Sequence, residues 1–96
     1  MSMNLHARAG KETIDLWQTP TSITRMCLMS SKGIRVTAKG KAARRALRIY
    51  LEWVRGTLDG AWTSTEALED MKESVQWHTE YVSRYLDNPD LEVYEL

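Results

Sequence analysis

Phenylalanine is absent from this 96-residue sequence, which contains one cysteine, two prolines and two histidines. A single thiol excludes a framework of internal disulfides. No apolar run approaches the roughly 18 residues that a membrane-spanning helix needs, and residues 1–10 are polar rather than like a signal peptide. These absences predict a soluble, cytoplasmic protein without a membrane partner.

The residues that are present describe one small globular domain. Apolar residues make up 43% of the chain and charged residues 27%, which supplies enough apolar side chain for a core and excludes disorder by composition. A domain of this length buries a limited apolar area. We therefore expect only modest stability.

A net charge of zero hides two oppositely charged halves. Residues 1–50 carry ten Lys or Arg against two acids, a net charge of +8, and residues 51–96 carry three against eleven, a net charge of −8. Such an asymmetry indicates either a partner for one half or two halves that neutralise each other. The sequence leaves both explanations open.

The first part of the chain is predicted to be irregular. Residues 1–21 show neither helical nor strand periodicity and are interpreted as a flexible N-terminal arm. A single small domain over residues 22–96 follows. It is predicted to begin with a β-hairpin at 22–37, because two runs rich in β-forming residues flank a short turn that ends at Gly33.

Two amphipathic helices are predicted next, at about 38–58 and 63–87, because apolar residues recur on one side of each at 100° per residue. Thr37 is a candidate cap for the first helix. The second is preceded by the capping-box sequence Thr63-Ser64-Thr65-Glu66, with Trp62 as a hydrophobic staple. The C-terminal tail at 88–96 alternates apolar and acidic residues, so it either covers the core edge or pairs with a strand.

These elements predict a mainly α fold. Few residues around Gly60 separate the helices, which favours an antiparallel two-helix hairpin with the small N-terminal β-hairpin against its open side. Two helices alone leave part of each apolar stripe uncovered. A homodimer that completes a helical bundle would cover both stripes.

No residue pattern predicts catalysis, a metal or a cofactor. A nucleophile needs a base held beside it, but His6 falls in the predicted arm and His78 on the apolar seam of the second helix, where we expect a buried and hydrogen-bonded side chain. Cys27 and the two histidines each stand alone, without the paired spacing of metal ligands. We therefore expect no enzyme, no catalytic residue, no metal site and no cofactor.

The first helix carries a basic stripe that could neutralise phosphates of nucleic acid. Its candidate contact residues, including one in the preceding hairpin, are Arg35, Lys41, Arg44, Arg45 and Arg48. A solvated basic face explains the same pattern, so both interpretations stay open.

The segment Gly33-Ile34-Arg35-Val36-Thr37-Ala38-Lys39-Gly40 resembles the wing-to-helix junction of winged-helix regulators, over less than a fifth of the chain. The resemblance implies that Lys32 and Arg35 contact phosphate and that the following helix dimerises. The chain departs from that family before the hairpin, because residues 1–23 are too short and too weakly periodic for a helix-turn-helix.

The second helix offers a candidate protein-binding face beside its apolar seam. Trp77 lies about 120° from the centre of the seam, by the 100° helical step, and either packs under another segment or is exposed for a partner. Trp, Tyr and Arg dominate the binding energy of interfaces. The candidate partner-binding residues are Trp77, Tyr81, Glu73, Glu80 and Arg84.

The function predicted from these features is that of a small non-enzymatic interaction protein. It is expected to bind and modulate or inhibit another macromolecule, such as a nucleic-acid-processing or regulatory protein of a host. By analogy of size and charge, the acidic row on the second helix could imitate a phosphate backbone, as in small inhibitor proteins, including many carried by phages, although the positive first half argues against a pure mimic. The alternative is a small DNA-binding regulator that uses the basic helix face.

Overall fold

The computed structural model describes residues 4–96 and contains a four-stranded antiparallel sheet. Its strands are β1 (Leu5–Ala9), β2 (Glu12–Ile14), β5 (Thr37–Lys39) and β6 (Leu91–Glu95), in the order β2-β1-β6-β5. A separate two-stranded hairpin consists of β3 (Met29–Ser30) and β4 (Gly33–Ile34). The C-terminal tail thus pairs with two strands, which confirms one of the two expectations for it.

Residues 4–96 form three α-helices, of which the first two contact the sheet. They are α1 (Thr21–Leu28), α2 (Lys41–Gly56) and α3 (Thr65–Ser83), and a short 3-10 helix (Thr57–Asp59) joins the last two. α2 contacts β5 and β6, α1 packs against α2, and α3 packs against α2. The core between these layers is almost entirely apolar.

The predicted flexible arm at 1–21 is wrong over the described residues, because it contains β1 and β2. Leu5, Ala7 and Ala9 alternate toward the core and are at most 7% exposed. Gly10 has a φ of 61° and begins the two-residue turn into β2, a conformation that glycine adopts without strain. Residues 1–3 of the predicted arm lie outside the described residues.

The predicted β-hairpin at 22–37 is also wrong in most of its length. Its first half is α1, in which Thr24, Cys27 and Leu28 are buried at helical spacing. The β-branched residues Ile23 and Thr24 favoured a strand by propensity, but burial of one helical face decides the local structure. The turn itself is confirmed at Ser31 and Lys32, between the very short strands β3 and β4.

The two long helices are confirmed within their predicted bounds, with different caps. Ser64, not Thr63, accepts a hydrogen bond from the backbone N–H of Ala67 at 3.1 Å. Gly40 precedes α2, while Thr37 lies in β5. Trp62 donates through Nε1 to the carbonyl oxygen of Leu58 at 3.1 Å.

The mainly α fold class is therefore corrected to a mixed α/β fold. The apolar stripe of α2, one of the two that motivated a dimeric bundle, is covered within the chain, since Ala43, Leu47 and Val54 are fully buried. The segment that resembles a wing-to-helix junction ends in β5, an edge strand of the main sheet, instead of the second strand of a wing. Within residues 4–96, no helix is both long and apolar enough to cross a membrane.

Candidate functional site

A groove of about 580 Å³ lies between α3 and the segment that follows β2. We call it the tryptophan groove. Its lining consists of Trp17, Asp70, Glu73, Ser74, Trp77 and His78. It combines two indoles with two carboxylates, and α3 supplies all of these residues except Trp17.

The floor of the tryptophan groove is a stack of two aromatic rings. Trp17 lies on His78 with ring centroids 4.6 Å apart and planes 10° from parallel. Beneath them, the hydroxyl of the fully buried Tyr50 accepts the backbone N–H of Trp17 at 2.6 Å and lies 2.7 Å from His78 Nε2. One phenol of α2 therefore fixes both partners of the stack.

Burial determines the protonation of this cluster. It lowers the pKa of His78, an effect partly opposed by the carboxylate of Asp15, and it raises the pKa of Tyr50. His78 is thus neutral near pH 7 and Tyr50 keeps its proton. Because the Tyr50 oxygen already accepts from Trp17, we assign the phenol as the donor to His78 Nε2.

Trp77 stands at the rim of the tryptophan groove with 75% of its surface exposed. Of the two interpretations that the sequence allowed, packing under another segment is excluded for this side chain and exposure is confirmed. Tryptophan is a residue type typical of interface anchors, and an exposed position beside a groove is typical of them as well.

The acidic wall of the groove is not neutralised within the described chain. Asp70 and Glu73 are exposed, and neither takes part in the ion pairs found among residues 4–96. The nearby cation Lys72 pairs with Glu69 at 3.4 Å instead. The groove therefore presents negative charge next to two aromatic faces.

The structure brings together two of the five predicted partner-binding residues, Trp77 and Glu73. Tyr81 is half-buried, and its hydroxyl accepts the backbone N–H of Asp15 at 2.9 Å, so it ties α3 to the loop after β2. Glu80 and Arg84 are exposed but do not line the groove. These three residues surround the site instead of forming it.

Sequence reasoning missed Trp17, Asp70 and Ser74 as lining residues. Trp17 belongs to a loop whose position depends on the Tyr50 hydroxyl, a contact across 33 residues. The periodicity of apolar residues in the sequence does not indicate a contact of this kind. The expectation for His78 as a buried and satisfied histidine is confirmed, with 8% exposure and the Tyr50 partner.

A second cavity, of about 430 Å³, collects basic residues from the predicted nucleic-acid-binding set. Arg35, Lys41 and Arg45 line it together with Ser30 and Ser31 of the β3–β4 turn, and Cys27, Met29 and Ala42 complete its lining. We call it the basic cavity. Arg44 and Arg48 do not line it, so the predicted stripe divides into a convergent group and two residues elsewhere on α2.

In the described part of the chain, the two charged halves are joined by direct ion pairs at the sheet, through Arg8 and Lys39 with Glu92, but not between α2 and α3. Among residues 4–96, the ion pairs are Arg8–Glu92 at 2.6 Å, Lys39–Glu92 at 3.2 Å and Lys72–Glu69. Two of them cross the outer face of the sheet and one lies within α3. Among residues 4–96, no cation of α2 and no carboxylate of the tryptophan groove takes part in an ion pair.

Metal chemistry has no candidate site in the part of the chain that the structure describes, where no three His, Cys, Asp or Glu side chains cluster. Cys27 is buried and unbridged. Comparisons with protein-family models, with curated proteins and with solved structures found no match.

Proposed function

We propose that this protein is a non-enzymatic binding module that holds a cationic segment of a partner protein in the tryptophan groove. The observation that carries the proposal is the combination of Trp17 and Trp77 with the carboxylates of Asp70 and Glu73. A Lys or Arg side chain gains from the face of an indole and from a nearby carboxylate at the same time. An uncharged ligand would use only the indoles.

Pre-organisation supports this proposal. The Trp17 ring is held by its stack on His78 and by the Tyr50 hydroxyl before any ligand arrives. A fixed aromatic surface loses less conformational entropy on binding than a mobile one. Trp77 is then the residue that closes on the ligand from the rim.

Charge favours a partner with a positive surface. Proteins that process nucleic acids carry basic clefts for the phosphate backbone, and the acidic wall of the groove complements such a cleft. Capture of a cationic segment of that cleft in the tryptophan groove would inhibit or modulate the partner. We propose a cytoplasmic location for the protein, together with such a target.

The experiment is affinity capture of partners from nuclease-treated lysate, followed by titration of the purified partner against matched variants. We expect Trp77→Ala to weaken binding about 30-fold, as for an interface anchor worth about 2 kcal/mol. Leu96→Ala is the control, because Leu96 is 79% exposed and lies outside the groove.

Charge is tested by a second matched pair on α3. Glu73→Gln removes a carboxylate of the groove, whereas Glu80→Gln removes an exposed carboxylate outside it. Only the first should weaken binding and flatten its dependence on salt. Equal losses in the two variants, or no loss with Trp77→Ala, would exclude the tryptophan groove as the binding site.

A further inference from the structure

The basic cavity gathers cations from separate parts of the chain. Arg35 follows β4, whereas Lys41 and Arg45 lie one turn apart at the start of α2. Arg45 Nη1 donates to the carbonyl oxygen of Met29 at 3.4 Å, which ties this side chain to the β3–β4 hairpin. The hairpin and the helix thus form opposite sides of one positively charged site.

No carboxylate of residues 4–96 forms an ion pair with these cations. The other polar groups of the lining side chains are the Cys27 thiol and the hydroxyls of Ser30 and Ser31. Burial raises the pKa of Cys27 to about 11, so the thiol is uncharged near pH 7. Nothing in the lining balances the positive charge.

This placement of charge is unfavourable for the helix itself. Cations near a helix N-terminus oppose the macrodipole, and like charges four residues apart repel. α2 has no acidic residue in its first turn, and Lys41 and Arg45 stand four residues apart. Unfavourable charge placements of this kind are expected at binding sites. A bound anion would reduce both the repulsion between the cations and their unfavourable interaction with the helix dipole.

We propose that the basic cavity binds the phosphate group of a phosphate ester. Guanidinium groups match the oxygens of phosphate in a two-pronged geometry, and the Ser31 hydroxyl adds a neutral donor, whereas the Ser30 hydroxyl donates to the carbonyl oxygen of Gly33 at 2.7 Å. The cavity has a volume of about 430 Å³. That space exceeds the needs of one phosphate and accommodates part of the group that carries it.

A nucleic-acid backbone and a small phosphate ester share this chemistry, and two probes distinguish them. The first is a fluorescein-labelled 12-nucleotide oligo(dT), followed by anisotropy at several NaCl concentrations. The second is adenosine 5′-monophosphate, followed by calorimetry. Binding of the oligonucleotide assigns the backbone as the source, and binding of the nucleotide alone assigns a small ester.

The variants Arg35→Gln, Lys41→Gln and Arg45→Gln each remove one cation of the cavity. We expect each to weaken binding of the successful probe at least tenfold and, for the oligonucleotide, to reduce the slope of log K against log salt by about 1. The control is Arg55→Gln, which removes an exposed cation at the far end of the same helix. We expect it to change affinity less than twofold.

Each remaining outcome counts against the proposal. Failure of both probes to bind in 50 mM NaCl would overturn it. A loss in Arg55→Gln equal to that in the cavity variants would also overturn it, because binding would then follow net charge instead of the cavity. Far-UV circular dichroism of each variant separates lost binding from lost folding.

Discussion

The hydroxyl of Tyr50 is the single atom on which the floor of the tryptophan groove depends, so Tyr50→Phe is the most informative change. Phenylalanine keeps the ring, which is fully buried, and its contact with the core. It removes the oxygen that accepts from Trp17 and lies 2.7 Å from His78 Nε2. The variant therefore isolates two hydrogen bonds from packing.

The expected loss of stability follows from those two bonds. Each contributes about 0.5–1.5 kcal/mol net, and a buried polar group left without a partner adds to the cost. We expect a loss of about 2–3 kcal/mol from a total of roughly 5–14 kcal/mol for a domain of this length. At about 4–8 °C per kcal/mol, the melting temperature should fall by roughly 10–20 °C.

Urea and thermal unfolding, followed by circular dichroism and tryptophan fluorescence, measure this loss. The control is Tyr94→Phe, because the Tyr94 ring stacks on His6 while its hydroxyl bonds to no described residue. It should change the free energy of unfolding by less than about 0.5 kcal/mol, as for a surface substitution. An equally small effect of Tyr50→Phe would refute the role assigned to its hydroxyl.

Three further perturbations test other parts of the structure. Ser64→Ala should lower the free energy of unfolding by about 1 kcal/mol through loss of the α3 cap, while Thr63→Ala should change it little. The reverse order in urea unfolding would support the capping box predicted from sequence instead. The pKa of His78 is lowered from 6.5 in the folded protein, so the unfolded state binds more protons as the pH falls through that value. The free energy of unfolding should therefore decrease as the pH is lowered from 7.5 to 5.5. The same pH dependence in His78→Gln would contradict this. Lys41→Glu should raise the melting temperature by a few degrees, since a first-turn acid opposite Arg45 contributes about 0.3–1 kcal/mol; a lower melting temperature would contradict the argument that charge at this helix end opposes folding.

The elements that could be predicted from sequence are those whose own periodicity is long. α2 and α3 each bury one continuous side, and this pattern is visible without knowledge of their neighbours. β1 is different, because Ala7 and Ala9 are poor strand formers. Their burial depends on pairing with β6, more than 80 residues away, and no local pattern reports that pairing.

In the candidate site, too, residues placed by the periodicity of one helix could be predicted, whereas residues placed by distant contacts could not. Trp77 and Glu73 could be found because a helical wheel places them beside the apolar seam. Trp17 could not, because its position is set by Tyr50 and His78, which lie on two other elements. The helical wheel also places Tyr81 beside the seam, where a partner-contact residue is expected. In the structure its hydroxyl accepts a hydrogen bond from the backbone N–H of Asp15.

The two proposed ligands would each reduce like-charge repulsion within a helix. Like charges four residues apart each cost a helix a few tenths of a kcal/mol, and such pairs occur in both helices, as Lys41 with Arg45 and as Glu69 with Glu73, although Glu69 also pairs with Lys72 at 3.4 Å. Direct ion pairs between the two helices do not offset this cost within residues 4–96. A cationic segment on α3 and a phosphate at α2 would each remove the repulsion locally. Because the two sites share no lining residue, binding at one site should not compete with binding at the other.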